Sequence, residues 1–472
     1  MNETSQPIEL LLSVSRERPG TLGAQIEDQL CCAIRDGTLR PGARVPSTRD
    51  LARQLGVSRR IVVDAYAQLA AEGYLSLRQG ARPRVSDAAA VPSRPQPPQE
   101  PPPPPPRFDF RPGGPDVSRF PRTVWLQSLR EALQTMTDAD MSYGDPRGVD
   151  ALRAELAGYL GRVRGVVAEA DRVVVTCGYS QGLALTCQAL AATGVKRVAI
   201  EDPTWPQQLP VLERVGLAAV PIAVDDDGIR VDELARAKVD AVIVTPAHQH
   251  PTGVVLSGER RTQLLAWLRD RDAIAIEDDY DAEYRYDRAA VGSLQGRDPD
   301  RVVYAGSVSK TLTPALRIGW FVVPPRLLQA VSHEKFLADY GNGRIEQYAL
   351  ADFLRRGELD RHLRRMRVLY RSRRDALVSA LAEELPDVAV HGIAAGLHAT
   401  VRLADGDDDV ACAAEARRRG IAVQTLRHYC VDPSHTEPPT LVLSYAQMPE
   451  AAIRLGVREL AQAVRAVRAV RA

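Results

Sequence analysis

Lysine is scarce in this chain. Of its 61 basic residues only four are lysines, Lys196, Lys238, Lys310 and Lys335. A guanidinium does not form a Schiff base, so side-chain amine chemistry is confined to those four positions. Cysteine is also sparse. None of the six falls in a Cys-x-x-Cys spacing, and Cys31 and Cys32 are adjacent. A zinc site or a disulfide framework is therefore not expected, and a cytoplasmic protein with free thiols is the default. No apolar run approaches the ~20 residues that a membrane helix needs. The opening MNETSQPIEL lacks a basic-then-apolar signal. The net charge of +1 excludes polyanion binding by overall charge alone. What remains is an ordinary globular composition, 45% hydrophobic and 26% charged over 472 residues, enough for two or three domains.

Residues 1–87 carry a helical pattern first. Leu22, Ile26, Leu30 and Ile34 recur on one face of a helix over Gly20–Asp36, with Gly37 placed to end it. Ser47 is an N-cap candidate for a second helix with Leu51, Ala52 and Leu55 inward. Gly56-Val57 turns the chain, and Ser58 caps a third helix with Ile61, Val62, Ala65, Tyr66 and Leu69 apolar. Tyr74–Leu77 and Arg82–Val85 then read as a short hairpin. Helix, turn, helix and hairpin is the winged helix-turn-helix layout. Between Arg40 and Arg84 nine arginines face three acids, a local +6 suited to phosphate contacts.

Residues 88–107, with six consecutive prolines, cannot bury a core and favour polyproline II, so a partly stiff linker is expected. Residues 108–472 form the remaining domain, with a smaller part from about 360 onward.

Within it, Ala273–Pro324 holds the densest chemistry. Ala273–Ile276 and Arg301–Ala305 look like buried parallel strands. The first leads into Glu277-Asp278-Asp279-Tyr280 and the second into Gly306-Ser307-Val308-Ser309-Lys310. Open α/β sheets bind ligands outside the carboxyl ends of their strands. A carboxylate, a phenol and an amine would meet there, the set that pyridoxal phosphate requires. Asp278 is expected to be largely buried; Asp279 is expected to point elsewhere and to tolerate Asn. Strand Val173–Thr176, then Cys177-Gly178-Tyr179-Ser180 and a helix from Leu183, would add an anion cradle.

The words EDDYDAEYRY and GSVSKTLTPALRIG resemble the cofactor core of fold-type I aminotransferases, and most closely the MocR/GabR-type transcription regulators. PGARVPSTRDLARQLGVSRRIVVDAYAQLAAEGYL resembles the GntR-family DNA-binding domain. Together the resemblance covers nearly the whole chain from residue 20. It implies an N-terminal winged helix-turn-helix domain joined to a pyridoxal-phosphate-dependent, aminotransferase-like α/β domain, with a mostly parallel sheet and a smaller C-terminal α+β part. It also implies that Lys310 forms the Schiff base, Asp278 pairs with the pyridine nitrogen and Tyr280 meets the ring phenol oxygen. Ser307, Ser309 and Arg317 would hold the phosphate, with Gly178, Tyr179 and Ser180 as the second wall. Trp205, where tyrosine is usual, would lie beside the cofactor. His250, in the loop PAHQHPTG, stands where aminotransferases proper have Asn. A metal reading of His248 with His250 lacks a third nearby ligand, and no metal site is expected. Gln207 and Arg427 are the effector candidates. On the DNA side Arg49, Ser47, Ser58, Arg59 and Arg60 would face double-stranded operator DNA, with Gln79-Gly80 as wing tip. MSYGDPRGVDALR resembles the aminotransferase segment at which two chains meet, which implies a homodimer, head-to-tail in such regulators.

The function implied is a DNA-binding transcription regulator that senses an amine, an amino acid or the level of pyridoxal phosphate. The alternative is a working aminotransferase with an appended DNA-binding domain; His250 and Gln207 favour sensing over turnover.

Overall fold

The computed structural model describes residues 12–78, 80–87, 104–286, 291–432 and 438–471. The chain divides into two compact units between Pro104 and Pro105.

In the first unit three helices, α1 (Leu22–Arg35), α2 (Thr48–Leu55) and α3 (Arg59–Ala71), precede an antiparallel pair, β1 (Leu75–Ser76) and β2 (Arg84–Val85). Local chemistry sets these limits. Ser47 Oγ accepts the Asp50 N–H at 3.2 Å at the start of α2. Gly56, at φ 66°, ends that helix in the left-handed region. Ser58 stands at the N-cap of α3, but its side chain makes no cap bond, so the expected capping is by backbone position alone. Ile26, Leu30 and Ile34 of α1, Leu51 of α2 and Val62, Tyr66 and Leu69 of α3 share one core with Leu75 and Val85. The buried Tyr66 donates its hydroxyl to Pro46 O at 3.0 Å, which ties the connector before α2 to α3.

The second unit contains β3 (Phe108–Asp109), β4 (Val173–Thr176), β5 (Arg197–Asp202), β6 (Ala218–Asp225), β7 (Gly228–Ile229), β8 (Ala241–Val244), β9 (Ile274–Asp278), β10 (Val302–Ser307), β11 (Gly319–Val322), β12 (Ala389–His391), β13 (His398–Arg402), β14 (Ile421–Ala422), β15 (Gln424–Thr425) and β16 (Thr440–Ser444). Its main sheet has the order β4-β11-β10-β9-β8-β5-β6-β7. Strand β11 runs antiparallel to both neighbours and β7 to β6, and the other pairings are parallel.

Alternation along the strands feeds two cores. Val198 and Ile200, Ala241 and Ile243, and Ile274 and Ile276 pack with Leu183, Leu190, Leu327 and Val331 on one face. Ala199, Val242, Val244 and Ala275 pack with Leu234, Leu264, Trp267 and Leu268 on the other. Strands buried on both faces read as continuous apolar runs, which is why they are legible as such in the sequence. Two expected limits shift. Strand β9 extends to Asp278, so Glu277 and Asp278 belong to the strand and do not follow it. The helix expected from Leu183 begins at Tyr179, so Tyr179 and Ser180 are its first turn.

The smaller part packs the helices Glu358–Glu384, Asp409–Arg418 and Glu450–Arg471 with an antiparallel sheet of order β12-β13-β16-β15. Strand β3 pairs with β14, and the Arg107 N–H already donates to Gly420 O at 2.8 Å. Ordered pairing thus begins inside the stretch expected as linker. No helix among the described residues is long and apolar enough to cross a membrane.

Candidate functional site

A cavity of about 300 Å³ opens where β5, β9 and β10 end, at the first turn of helix Tyr179–Ala192 and beside Thr245 after β8. Pro112 and Gly113 line it from the unit's leading segment, and Leu397, His398 and Tyr429 line it from the smaller part.

Alternation along β9 sorts the acids. Asp278 shares a face with Ile274 and Ile276 and lines the cavity. It is mostly buried, with part of its surface open at the cavity wall. Removal from bulk water lifts its carboxyl well above the usual range, Asp279 and Asp281 push the same way, and Lys310 opposes them. Glu277 points to the other face and accepts the Leu294 and Gln295 N–H groups, each at 3.0 Å. Asp279 also points there and is sealed in. Arg164 Nε and the Tyr304 hydroxyl each donate to its Oδ2 at 2.7 Å. It points elsewhere, and its place in a buried ion pair makes loss of its charge costly, which weighs against the expected tolerance of Asn.

Lys310 lines the cavity, and its Nζ donates to Gly113 O at 2.5 Å. Burial pushes its ammonium pKa down, against the pull of Asp281 and Asp278. A desolvated lysine with lowered basicity is suited to act as a nucleophile. Ser307 and Ser309 line the wall beside it. Arg317 lines the cavity from a left-handed residue, φ 51°, and donates to Cys177 O at 2.7 Å. Gly178 serves by what it lacks: a Cβ there would stand 2.7 Å from an Arg317 nitrogen. Tyr179 and Ser180 face the cavity, and Trp205 meets the Tyr179 ring edge-on at 5.9 Å. Gln207 is also on the wall.

Tyr280 meets the His250 ring edge-on at 5.6 Å. Burial, then Lys310 and His248, push His250 down to about 3, so its ring is neutral at physiological pH. His398 is driven well below its ordinary value by burial and by His248 and His250.

Arg427 does not line the cavity. Its side chain is 62% exposed, with Nε 3.4 Å from Asp409. The cavity wall therefore does not include this effector candidate. The physical reason is that Asp409, buried on a neighbouring helix of the smaller part, draws the guanidinium away. Among the described lining residues, Lys310 and Arg317 are the only lysine and arginine.

Several site residues escape a reading of the sequence. Glu201 lines the cavity and accepts Thr245 Oγ1–H at 2.5 Å and the Gln249 amide at 3.3 Å, while burial lifts its carboxyl to about 7. An acid at the end of an apolar strand, the signal that marks Asp278, marks Glu201 too. His248, Asp281 and His398 bring ligand-type atoms within 4.8 Å of one another. The sequence suggested His250 as the neighbour of His248; the fold supplies Asp281 and His398. Gly113, 197 residues from Lys310, left no signal.

In the first unit Arg49, Ser58, Arg59, Arg60 and Gly80 are exposed. Arg60 stands 3.9 Å from Asp64, one turn along α3. The Ser47 hydroxyl donates to Asp50 Oδ2 at 2.6 Å while accepting the Asp50 N–H, so both its functions serve the cap. Gln79 lies outside the described residues.

Residues 22–85 match the bacterial regulatory proteins of the gntR family, and residues 116–460 match aminotransferase class I and II. The chain is 32% identical over 427 residues to the HTH-type pyridoxine biosynthesis transcriptional regulator PdxR of Corynebacterium glutamicum, covering 89% of this chain and 91% of that one. It is 31% identical over 475 residues to the probable rhizopine catabolism regulatory protein MocR of Rhizobium meliloti, covering 96% of each. Among solved structures, a multiple substrate aminotransferase from Thermococcus profundus superposes with a TM-score of 0.70 at 26% identity, over 77% of this chain and 92% of that one. The aminotransferase class I and II fold is pyridoxal-phosphate-dependent, and the gntR-type unit binds DNA. A gntR-type helix-turn-helix unit, followed in one chain by an aminotransferase-like unit along the full length of such relatives, makes this protein a member of the MocR-type family of HTH-type transcriptional regulators.

Proposed function

We propose that this regulator senses pyridoxal phosphate itself, bound in the cavity around Lys310, and that occupancy changes the affinity of the first unit for its operator. One observation carries the reading. The described cavity wall offers one lysine and one arginine, the groups for one aldehyde and one phosphate, and no second arginine for an amino acid's carboxylate. Gly178, lacking the Cβ that would strike Arg317, is the observation that fits a phosphate-holding arginine at this place. The relative named for pyridoxine biosynthesis agrees with it.

Pyridoxal phosphate supplies an aldehyde that condenses with an amine and a ring that draws electrons. Lys310 provides the amine, held by Gly113 O and kept weakly basic by burial. Ser180, Ser307, Ser309 and Arg317 would hold the phosphate; Tyr280 would meet the phenol oxygen, with His250 and Trp205 beside the ring. Asp278 would meet the pyridine nitrogen. Desolvation lifts this carboxyl and a facing pyridinium would draw it back down, so the pair would favour a protonated ring nitrogen. Gln207 lies on the outer wall, toward any amine that follows.

Arg49, Ser58, Arg59 and Arg60 would face operator DNA. A homodimer is supported by exposed apolar residues near Met141–Leu152: Tyr143, Tyr340, Met141 and Leu337 are 88%, 59%, 58% and 61% exposed. In it the two chains would pair head-to-tail. The test is operator binding of the full-length protein with pyridoxal phosphate, with amino acids and amines, and with both. Pyridoxal phosphate alone should change the affinity by about fivefold or more, the scale of an allosteric coupling. A response that needs an amino acid or amine after saturation with pyridoxal phosphate would sink the reading.

A further inference from the structure

Tyr280 has a second set of neighbours behind it. His248 Nδ1 lies 2.9 Å from the Tyr280 hydroxyl oxygen and 3.0 Å from Asp281 Oδ2. The His248 and Asp281 side chains are each 1% exposed. His248 comes from the loop after β8, and Asp281 from the segment after β9. The pair is packed from the smaller part too: a Cβ on Gly396, at φ 82°, would stand 2.2 Å from His248 Cε1 and 2.6 Å from Asp281 Oδ2. Nothing in binding the phosphate or forming a bond to Lys310 requires this arrangement.

The donors and acceptors have a direction. An ionised Asp281 oxygen can only accept, so His248 Nδ1 carries a hydrogen. That hydrogen stands between two oxygens, the Asp281 carboxylate and the Tyr280 hydroxyl. Without it the Tyr280 hydroxyl would be the donor left to serve the Asp281 carboxylate. With it Asp281 has a donor other than the nearby Tyr280 hydroxyl, so the Tyr280 proton can turn to the cavity.

We propose that His248 and Asp281 are positioning residues that aim the Tyr280 proton into the cavity and so set the acidity of the ligand oxygen that Tyr280 meets. This rests on the reading that Tyr280 faces the phenol oxygen of pyridoxal phosphate. The charged and titratable groups around Tyr280 are Asp278 and Asp281 on its own segment, Glu201 from β5, His248 and His250 from the loop after β8, His398 from β13 and Lys310 across the cavity.

The test titrates the absorbance of the full-length, pyridoxal-phosphate-loaded protein with pH, alongside cofactor stoichiometry. Tyr280→Phe removes a donor to an oxygen that ionises, so the midpoint should rise by about one unit, the effect of one hydrogen bond to a charged group. His248→Gln, whose amide nitrogen takes the Nε2 place, should raise it similarly. His248→Asn, whose amide nitrogen takes the Nδ1 place, should restore the wild-type midpoint, which a merely structural role would not do. Asp281→Asn is the companion should His248→Gln fold poorly, and should also move the midpoint. In a Tyr280→Phe background neither change should add to the shift. The proposal is overturned if Tyr280→Phe moves the midpoint while His248→Gln and Asp281→Asn do not, or if their shifts persist in full without the Tyr280 hydroxyl. If Tyr280→Phe itself moves nothing, the placement of Tyr280 at the phenol oxygen fails, and this inference falls with it.

Discussion

Arg164 donates from Nε to Asp279 Oδ2 at 2.7 Å, and both side chains are 2% exposed. The pair joins the end of helix Asp150–Arg164 to the segment that carries Asp278 and Tyr280. Replacing Asp279 by Asn would leave a buried guanidinium facing a neutral amide. The expected cost is about 3–5 kcal/mol. Asp278→Asn removes a carboxyl that desolvation already disfavours as an anion, so the cofactor-free variant should melt at or above the wild-type temperature. Thermal melts of the two cofactor-free variants check the contrast. An Asp279→Asn protein as stable as wild type would refute the structural role given to the pair.

Burial lifts both Glu201 and Glu277 to about 7. A carboxyl raised in the folded state binds its proton more tightly there than in the unfolded chain. Its contribution is therefore fully present below the unfolded value, near 4.3, and is lost as the pH rises through about 7. The cofactor-free protein should lose stability between about pH 5 and pH 8, by about 3 kcal/mol for each such carboxyl. Glu201→Gln should flatten that dependence. A stability that rises over the same interval would contradict the assignment.

Gly396→Ala should damage the site. Its φ of 82° disfavours any side chain, and the new methyl would meet His248 and Asp281. Strain and overpacking together predict a loss of about 2–4 kcal/mol. Melting and a pyridoxal phosphate titration measure it, and the affinity should fall with the stability. Retention of both would mean that the loop yields and that His248 is not tightly held.

Arg59→Ala and Arg60→Ala should separate two kinds of DNA contact. Loss of a base-reading arginine costs about 1–3 kcal/mol and relaxes specificity, whereas loss of a phosphate contact lowers the salt slope by about one. Equilibrium binding to an operator fragment at several salt concentrations distinguishes them. If both variants bind as wild type does, α3 is not the element that enters the groove.

Much of this protein is legible along the chain. Strand β4 is visible as Val173–Thr176 because a strand buried on both faces must be apolar throughout. The α2 helix is visible because Ser47 caps it with its own side chain, three residues from its partner. Asp278 and Lys310 are legible because each stands at a strand end within a few residues of an apolar run. The place of Arg427 is not legible: an arginine after a strand has many reachable partners, and Asp409 takes it.

The sequence by itself determined the elements, the two-unit order, the basic first unit and the four positions at which an amine could act. Each depends on spacing or composition within a short stretch. Only the tertiary structure decided that Arg164 answers Asp279 across 115 residues, that Gly113 meets Lys310 across 197, and that His248 stands behind Tyr280. Those partners are chosen by strand order and by which face each side chain takes, and no local pattern records either. A buried charge or hydroxyl needs a partner, but the need does not say from where in the chain the partner will come.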